Sequence, residues 1–107
     1  MTGAFKKLIS AWRERSAIYR ANMAETERVF DAEGGDSPTV AALEAEAMPL
    51  FREVHDIECQ ILSYPVTDPD DVRAKARWIA EAFDHWHDFT DPQMDALMAG
   101  WKATAET

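Results

Sequence analysis

Proline follows a helix-capping residue at three places in this chain, and this arrangement constrains the fold more than any other feature. The three dipeptides are Ser37-Pro38, Asp68-Pro69 and Asp91-Pro92. A serine or aspartate side chain can accept a hydrogen bond from an orphan N–H at a helix start, and proline at the first helical position has no N–H that needs a partner. Each dipeptide therefore predicts the start of a helix.

Two other sites predict helix ends. Gly34-Gly35 can adopt the left-handed conformation that closes a helix, and Tyr64 is pushed out of the helical region because Pro65 follows it. Between these signals, apolar residues recur in steps of three and four. The pattern predicts helices over about residues 3–32, 38–64, 69–89 and 92–103. Pro49 lies inside the second helix, where we expect a kink and not a break, because the apolar spacing continues across it.

The apolar stripes predict which face of each helix is buried. In the third helix the stripe is Val72, Ala76, Ile79, Phe83 and Trp86. In the fourth helix it is Met94, Leu97, Met98 and Trp101. Trp78 falls off the third-helix stripe, so it is a candidate for an exposed or intermolecular surface, with packing against the fourth helix as the alternative.

These elements predict an all-α, bundle-like fold in a single domain over residues 1–107. The first two helices would each be roughly 40–45 Å long and are joined by a short loop, which makes a long antiparallel hairpin. A third helix and a short C-terminal helix would pack against it. Arginines of the first helix (Arg13, Arg15, Arg20) would then face carboxylates of the second.

Charge is distributed unevenly along the chain. The net charge is −9, with +3 on residues 1–28, −10 on residues 29–71 and −2 on residues 72–107. Nucleic-acid binding needs clustered cations, so we predict no nucleic-acid partner, and an anionic membrane surface is disfavoured for the same reason. The single cysteine, Cys59, and the lack of a signal-like apolar run indicate a cytoplasmic protein without a disulfide.

No motif for catalysis or cofactor binding occurs, and we predict no enzymatic activity and no cofactor. His55 and Cys59 are four residues apart, which puts an imidazole and a thiol on one helix face, as half of a zinc site requires. His85 or His87 could supply a third ligand. The competing interpretation is that Cys59 is half-buried and His55 lies at the surface.

The many carboxylates of the chain are interpreted as a solvated face. The alternative is an acidic nucleic-acid mimic that binds a DNA-binding protein. The carboxylates concerned are Glu44, Glu46, Glu53, Asp56, Glu58, Asp70, Asp71, Asp84 and Asp88.

Residues 11–83 resemble short helical proteins of unassigned function from alphaproteobacteria, often found in or near prophage-like regions. The resemblance rests on Trp12-Arg13 with Tyr19, on an acidic, alanine-rich second helix, on the segment 61–67 and on Val72-Arg73-Ala74-Lys75-Ala76. It implies an oligomeric helical bundle and carries over no catalytic residue.

We therefore predict a non-catalytic interaction or assembly module that forms a homodimer and can bind another protein, with a phage-related role as the resemblance implies. The third helix is too short to cover the whole hairpin, so apolar side chains should remain for a partner copy. The predicted interface residues are Leu8, Ile18, Leu50, Phe51 and Trp78.

Overall fold

A computed structural model describes residues 3–86 and 90–105, without the side chains of 83–86 and 103–105. Four helices form: α1 (Gly3–Glu33), α2 (Pro38–Ser63), α3 (Pro69–Trp86) and α4 (Asp91–Ala105). No strand occurs in these ranges, and the predicted all-α fold is confirmed. The molecule is elongated, with principal extents of 54 × 24 × 20 Å.

Two of the predicted helix starts are confirmed by their hydrogen bonds. The Ser37 hydroxyl accepts from the N–H groups of Thr39 and Val40, and the Asp68 carboxylate accepts from the N–H of Asp70 at 2.7 Å. The predicted end of α1 is also confirmed, since Gly34 has a φ of +85° and donates to the Phe30 carbonyl. α2 ends at Ser63, next to the extended Tyr64.

The third predicted start is shifted by one residue. α4 begins at Asp91, and Thr90 is its cap, because the carbonyl of Thr90 accepts from the N–H of Met94 at 2.9 Å. The Thr90 hydroxyl accepts from the N–H of Gln93, and the Gln93 side-chain carbonyl accepts from the N–H of Thr90. This reciprocal arrangement is a capping box, which satisfies two orphan donors at once.

α1 and α2 form the predicted antiparallel hairpin. Arg15 pairs with Glu53 at 3.1 Å, and farther along the hairpin the Asn22 side chain donates to the Leu43 carbonyl. α2 is continuous through Pro49, as expected from its unbroken apolar spacing.

The hairpin has two unlike halves. The covered half consists of residues 3–16 and 50–63, against which α3 and α4 pack. The open half consists of residues 17–33 and 38–49. The main core lies in the covered half and in the segments that pack on it: Phe5, Ile9, Trp12, Val54, Ile61, Leu62, Val66, Trp78 and Ala82. The open half exposes large apolar side chains: Ile18, Met23, Phe30 and Met48.

α3 is rotated by about one residue from the predicted orientation. Its buried side chains are Asp71, Lys75, Trp78 and Ala82, whereas Val72 of the predicted stripe is 46% exposed. Trp78 buries more surface than Ile79 could. Lys75 donates to the carbonyls of Leu62 and Tyr64 at 2.7 and 2.8 Å, which satisfies acceptors at the end of α2.

The predicted stripe of α4 is also wrong in part. Gln93 and Gly100 are buried on α4, while Met94, Met98 and Trp101 are exposed. A side chain at position 100 would collide with the backbone of Leu62 and Ser63. Glycine at this position therefore lets α4 approach the end of α2 closely, and this approach sets which face of α4 is buried.

No helix in the described part of the chain is both long and apolar enough to cross a membrane.

Candidate functional site

The predicted interface residues fall into three environments. Trp78 is only 1% exposed and packs edge-to-face on Trp12, with ring centroids 5.6 Å apart. Its proposed place on an intermolecular surface is wrong, because the rotation of α3 puts the indole in the chain's own core. Leu8 also packs against that core, and Leu50 is half-buried. Ile18 and Phe51 remain exposed.

Glu58 is a buried carboxylate that joins three helices. It is 3% exposed and accepts a hydrogen bond from Trp12 Nε1 of α1 at 2.9 Å. Its other oxygen accepts from the Gln93 side-chain amide of α4. The interpretation of Glu58 as part of a solvated face is therefore wrong, and it is also wrong for Asp71, which is 3% exposed. A buried carboxylate needs such donors, since burying one without them is costly.

The sequence held a signal for this burial. Glu58 is four residues after Val54 and three before Ile61, so it occupies a core position of α2. Trp12 follows Phe5 and Ile9 in steps of four and three residues along the first helix, which predicts a buried position. Its indole N–H needs an acceptor when buried. Pairing Trp12 with Glu58 would have located the site. The third partner, Gln93, could not be found in this way, because its role depends on the shifted cap of α4.

His55 extends the same polar cluster towards the surface. Its Nε2 lies 2.8 Å from the Thr90 hydroxyl, which is also part of the α4 capping box. Its ring stacks on Phe51 with centroids 5.9 Å apart, and Phe51 contacts Tyr19 in turn. His55 therefore connects the cap of α4 to an aromatic row on the hairpin.

The structure brings His55 and Cys59 together, as the spacing predicts. Cys59 Sγ lies 4.0 Å from His55 Nδ1. Burial raises the pKa of the Cys59 thiol, and the charges of Asp56 and Glu58 raise it further. Zinc binds the thiolate, and the raised pKa lowers the fraction of Cys59 that is in this form near neutral pH.

A zinc site needs further ligands besides this pair. Among the residues that the structure describes, no group of three or more His, Cys, Asp or Glu side chains could hold a metal ion. The side chain of His85 and the whole of His87 lie outside the described residues. The zinc hypothesis thus has two neighbouring side chains in its favour, and its proposed third ligands are not described.

An apolar groove runs along the open half between α1 and α2. Its volume is about 340 Å³. The surface inside the groove is almost entirely apolar, although four of the seven residues that line it are polar or charged. The lining residues are Asn22, Met23, Thr26, Glu27, Phe30, Glu44 and Ala47. Met23 is 44% exposed and Phe30 is 51% exposed. An exposed apolar groove between two helices is a candidate interaction surface.

A second, smaller apolar groove lies between α3 and α4. It has a volume of about 210 Å³. Most of the residues that line it belong to the apolar stripes predicted for α3 and α4: Val72, Ala76, Ile79, Leu97 and Trp101, with Val66 and Lys75. Several side chains that the spacing predicts as core in these two helices therefore line a surface groove, although Ile79 and Leu97 are half-buried and also pack against the core.

Comparisons with protein-family models, with curated proteins and with solved structures give no match to this chain.

Proposed function

We propose that this chain is a non-catalytic helical interaction module that associates with a second copy of itself through the open half of the hairpin. The observation that supports this proposal is the apolar groove between α1 and α2, which only residues of these two helices line. Two hairpins that pair across a two-fold axis would make a four-helix core and remove both grooves from water.

The centre of the proposed interface differs from the set expected from the sequence. Met23 and Phe30 line the groove, and Met48 and Ile18 of the original set are also exposed on the open half. Phe51 borders this surface, where it packs on Tyr19. Methionine and aromatic side chains supply much of the contact area in protein interfaces, because they adapt to or fill a partner's surface.

Charge gives the proposed association a recognisable salt dependence. Glu27 and Glu44 line the groove, and each chain carries a net charge of −9. Two copies therefore repel each other at low ionic strength, and added salt screens this repulsion. We expect the dimer to become tighter as salt rises.

Light scattering coupled to gel filtration tests the proposal. At micromolar concentration the wild-type chain is expected to have twice the mass of 12.1 kDa for one chain. Met23→Asp should shift the mass to that of one chain, because dimerisation would bury an unpaired carboxylate. Met98→Asp on α4 is the matched control, since Met98 is 62% exposed and lies outside the groove.

Three results would contradict the proposal: a wild-type mass of one chain at every concentration, an unchanged mass for Met23→Asp, or an equal loss in Met98→Asp. Helical circular dichroism should be unchanged in both variants because both positions are exposed. Leu50→Asp is a weaker test, since Leu50 is half-buried within one chain and its substitution would also destabilise the monomer.

The competing proposal is a metal-binding protein that uses His55 and Cys59, which the structure places in contact. Elemental analysis of protein purified without a metal-affinity tag separates the two functions. Stoichiometric zinc that disappears in Cys59→Ala would favour the metal-binding function over the interaction module.

A further inference from the structure

Cations from two helices meet in one groove on the side of α1 that faces α3. Lys6 and Arg13 of α1 lie opposite Arg73 and Arg77 of α3, around two adjoining hollows of about 290 and 350 Å³. Both hollows share Lys6, Arg77 and Ala74. Four of the chain's eleven lysines and arginines thus surround one feature of a protein whose net charge is −9.

Only part of this positive charge is neutralised by the protein. Arg13 pairs with Glu81 at 3.3 Å, and Arg73 pairs with Asp70 at 3.0 Å. Lys6 and Arg77 form no ion pair with any residue that the structure describes. Four cations against two carboxylates leave a local charge of about +2, and Ser10 also lines one of the two hollows.

The arrangement is unfavourable for the isolated protein. Arg73 and Arg77 are four residues apart on α3, where like charges repel and destabilise a helix. Lys6 adds a third cation from α1 at the same end of the groove. A bound anion would relieve this repulsion, because it would place negative charge between the two helices.

Part of the lining of the groove is apolar. The buried Ile9 and the half-buried Ala74 line it together with the cationic side chains. A ligand could therefore place a charged group against the guanidinium groups and an uncharged part against Ile9 and Ala74, which is the usual composition of a small-molecule site.

We propose that this groove binds a small molecule that carries a phosphoryl group. A phosphate monoester has a charge of about −1.5 to −2 at neutral pH, which matches the local charge of the groove. Its oxygens project in several directions, so they can accept from donors on both helices at once. Guanidinium groups also bind phosphoryl oxygens through two parallel hydrogen bonds. A carboxylate has one charge and a planar pair of oxygens, and it would leave part of the groove unneutralised.

The site is independent of the proposed dimer. It lies on the covered half beside α3, whereas the proposed interface lies on the open half. A failure of either proposal therefore leaves the other to be judged by its own experiment.

A titration followed by two-dimensional amide NMR tests the site. Phenyl phosphate, inorganic phosphate and benzoate are added separately to the full chain at constant ionic strength. We expect phenyl phosphate to cause saturable shifts centred on Lys6, Ser10, Ala74 and Arg77. Equal affinity for inorganic phosphate would identify free phosphate as the ligand, and tighter binding of phenyl phosphate would identify an organic phosphate ester; either result supports the site.

Charge-neutralising variants show whether the groove itself binds the ligand. Arg77→Gln and Lys6→Gln should each weaken binding by about tenfold, because each loses a charge-assisted hydrogen bond. Lys7→Gln is the matched control, with the same change in net charge at an exposed neighbouring position that does not line either hollow. It should weaken binding by less than about twofold.

Four outcomes would overturn the proposal: shifts that do not saturate, shifts centred outside the groove, benzoate binding as tightly as phenyl phosphate, or an equal effect of Lys7→Gln. A change in the mass of the particle in Arg77→Gln would also overturn it, since the groove would then be a contact between copies of the chain.

Discussion

The covered and open halves of the hairpin are built from the same two helices but bury very different side chains. In the covered half, Trp12 and Glu58 make contacts with α3 and α4 as well as with each other. In the open half, Met23 and Phe30 lie at the surface of a two-helix ribbon. A two-helix ribbon has one face without a partner, so stability should be concentrated in the covered half and association in the open half.

The largest expected effect comes from removing the tryptophan that joins α3 to the covered half. Trp78→Ala should lower the free energy of unfolding by about 3–5 kcal/mol, because it deletes a buried aromatic side chain that packs on Trp12. Urea denaturation followed by far-ultraviolet circular dichroism measures this loss. Trp78→Phe should cost less, since it keeps most of the ring's contacts.

Trp101→Ala is the control for this comparison. Trp101 is 66% exposed, so its removal should change the free energy of unfolding by less than about 1 kcal/mol. A larger loss in Trp101→Ala than in Trp78→Ala would mean that α3 and α4 bury the faces that their apolar stripes predict. Equal losses would contradict the exposure of Trp101.

A smaller effect is expected at the carboxylate that links α1, α2 and α4. Glu58→Ala removes an acceptor from two buried donors, the Trp12 indole and the Gln93 amide, and should cost about 2–4 kcal/mol. Glu58→Gln should recover part of this loss because it retains one acceptor oxygen. Urea denaturation gives the free energies, and hydrogen exchange should show faster exchange in α4.

Glu46→Ala, in the open half of α2, is the control for Glu58→Ala. Glu46 is exposed and forms no ion pair in the described part of the chain, so we expect a change within about 0.5 kcal/mol. If Glu46→Ala and Glu58→Ala destabilise the protein equally, the carboxylates of α2 act through overall charge and not through position.

The sequence predicted the helices better than it predicted their orientation. Helix starts at Ser37 and Asp68 depend on local hydrogen bonds, which short-range chemistry determines, and both were found. The buried face of α3 depends on what α3 meets. Lys75 donates a hydrogen bond to a carbonyl at the end of α2, and Trp78 packs on Trp12. Because these two side chains occupy the buried face of α3, Val72 lies at the surface. No pattern within α3 contains that information.

The candidate sites also differ in how much of each could be predicted from the sequence. The contact between His55 and Cys59 follows from four-residue spacing on one helix, and the structure shows it. The sequence predicts that α3 is too short to cover the hairpin, and therefore that some apolar surface stays exposed. It does not identify Met23 and its neighbours as that surface. The cationic groove between Lys6 and Arg77 requires the relative rotation of α1 and α3 and could not be read from either helix alone.

The smallest expected effect concerns the reactivity of Cys59, at the edge of the covered half. Burial raises its pKa, and the charges of Asp56 and Glu58 add to this. The raised pKa lowers the thiolate fraction at any pH below it, so iodoacetamide should react more slowly with Cys59 than with a cysteine in an unstructured peptide. The raised pKa also means that folding stability decreases as pH rises through the ordinary cysteine pKa, where only the unfolded chain loses the proton.

Removing one of the two charges tests this explanation without unfolding the protein. Asp56 is exposed, and Asp56→Asn should increase the alkylation rate at pH 7.5 by about two- to threefold, because it lowers the pKa of the thiol. Glu46→Gln is the matched control. It removes the same charge from α2 about 20 Å away, beyond the screening length of physiological salt, and should leave the rate unchanged. An equal increase in both variants would mean that net charge, and not the neighbourhood of Cys59, sets its reactivity. A rate in the wild-type protein as fast as in the peptide would remove the argument against zinc binding at this cysteine.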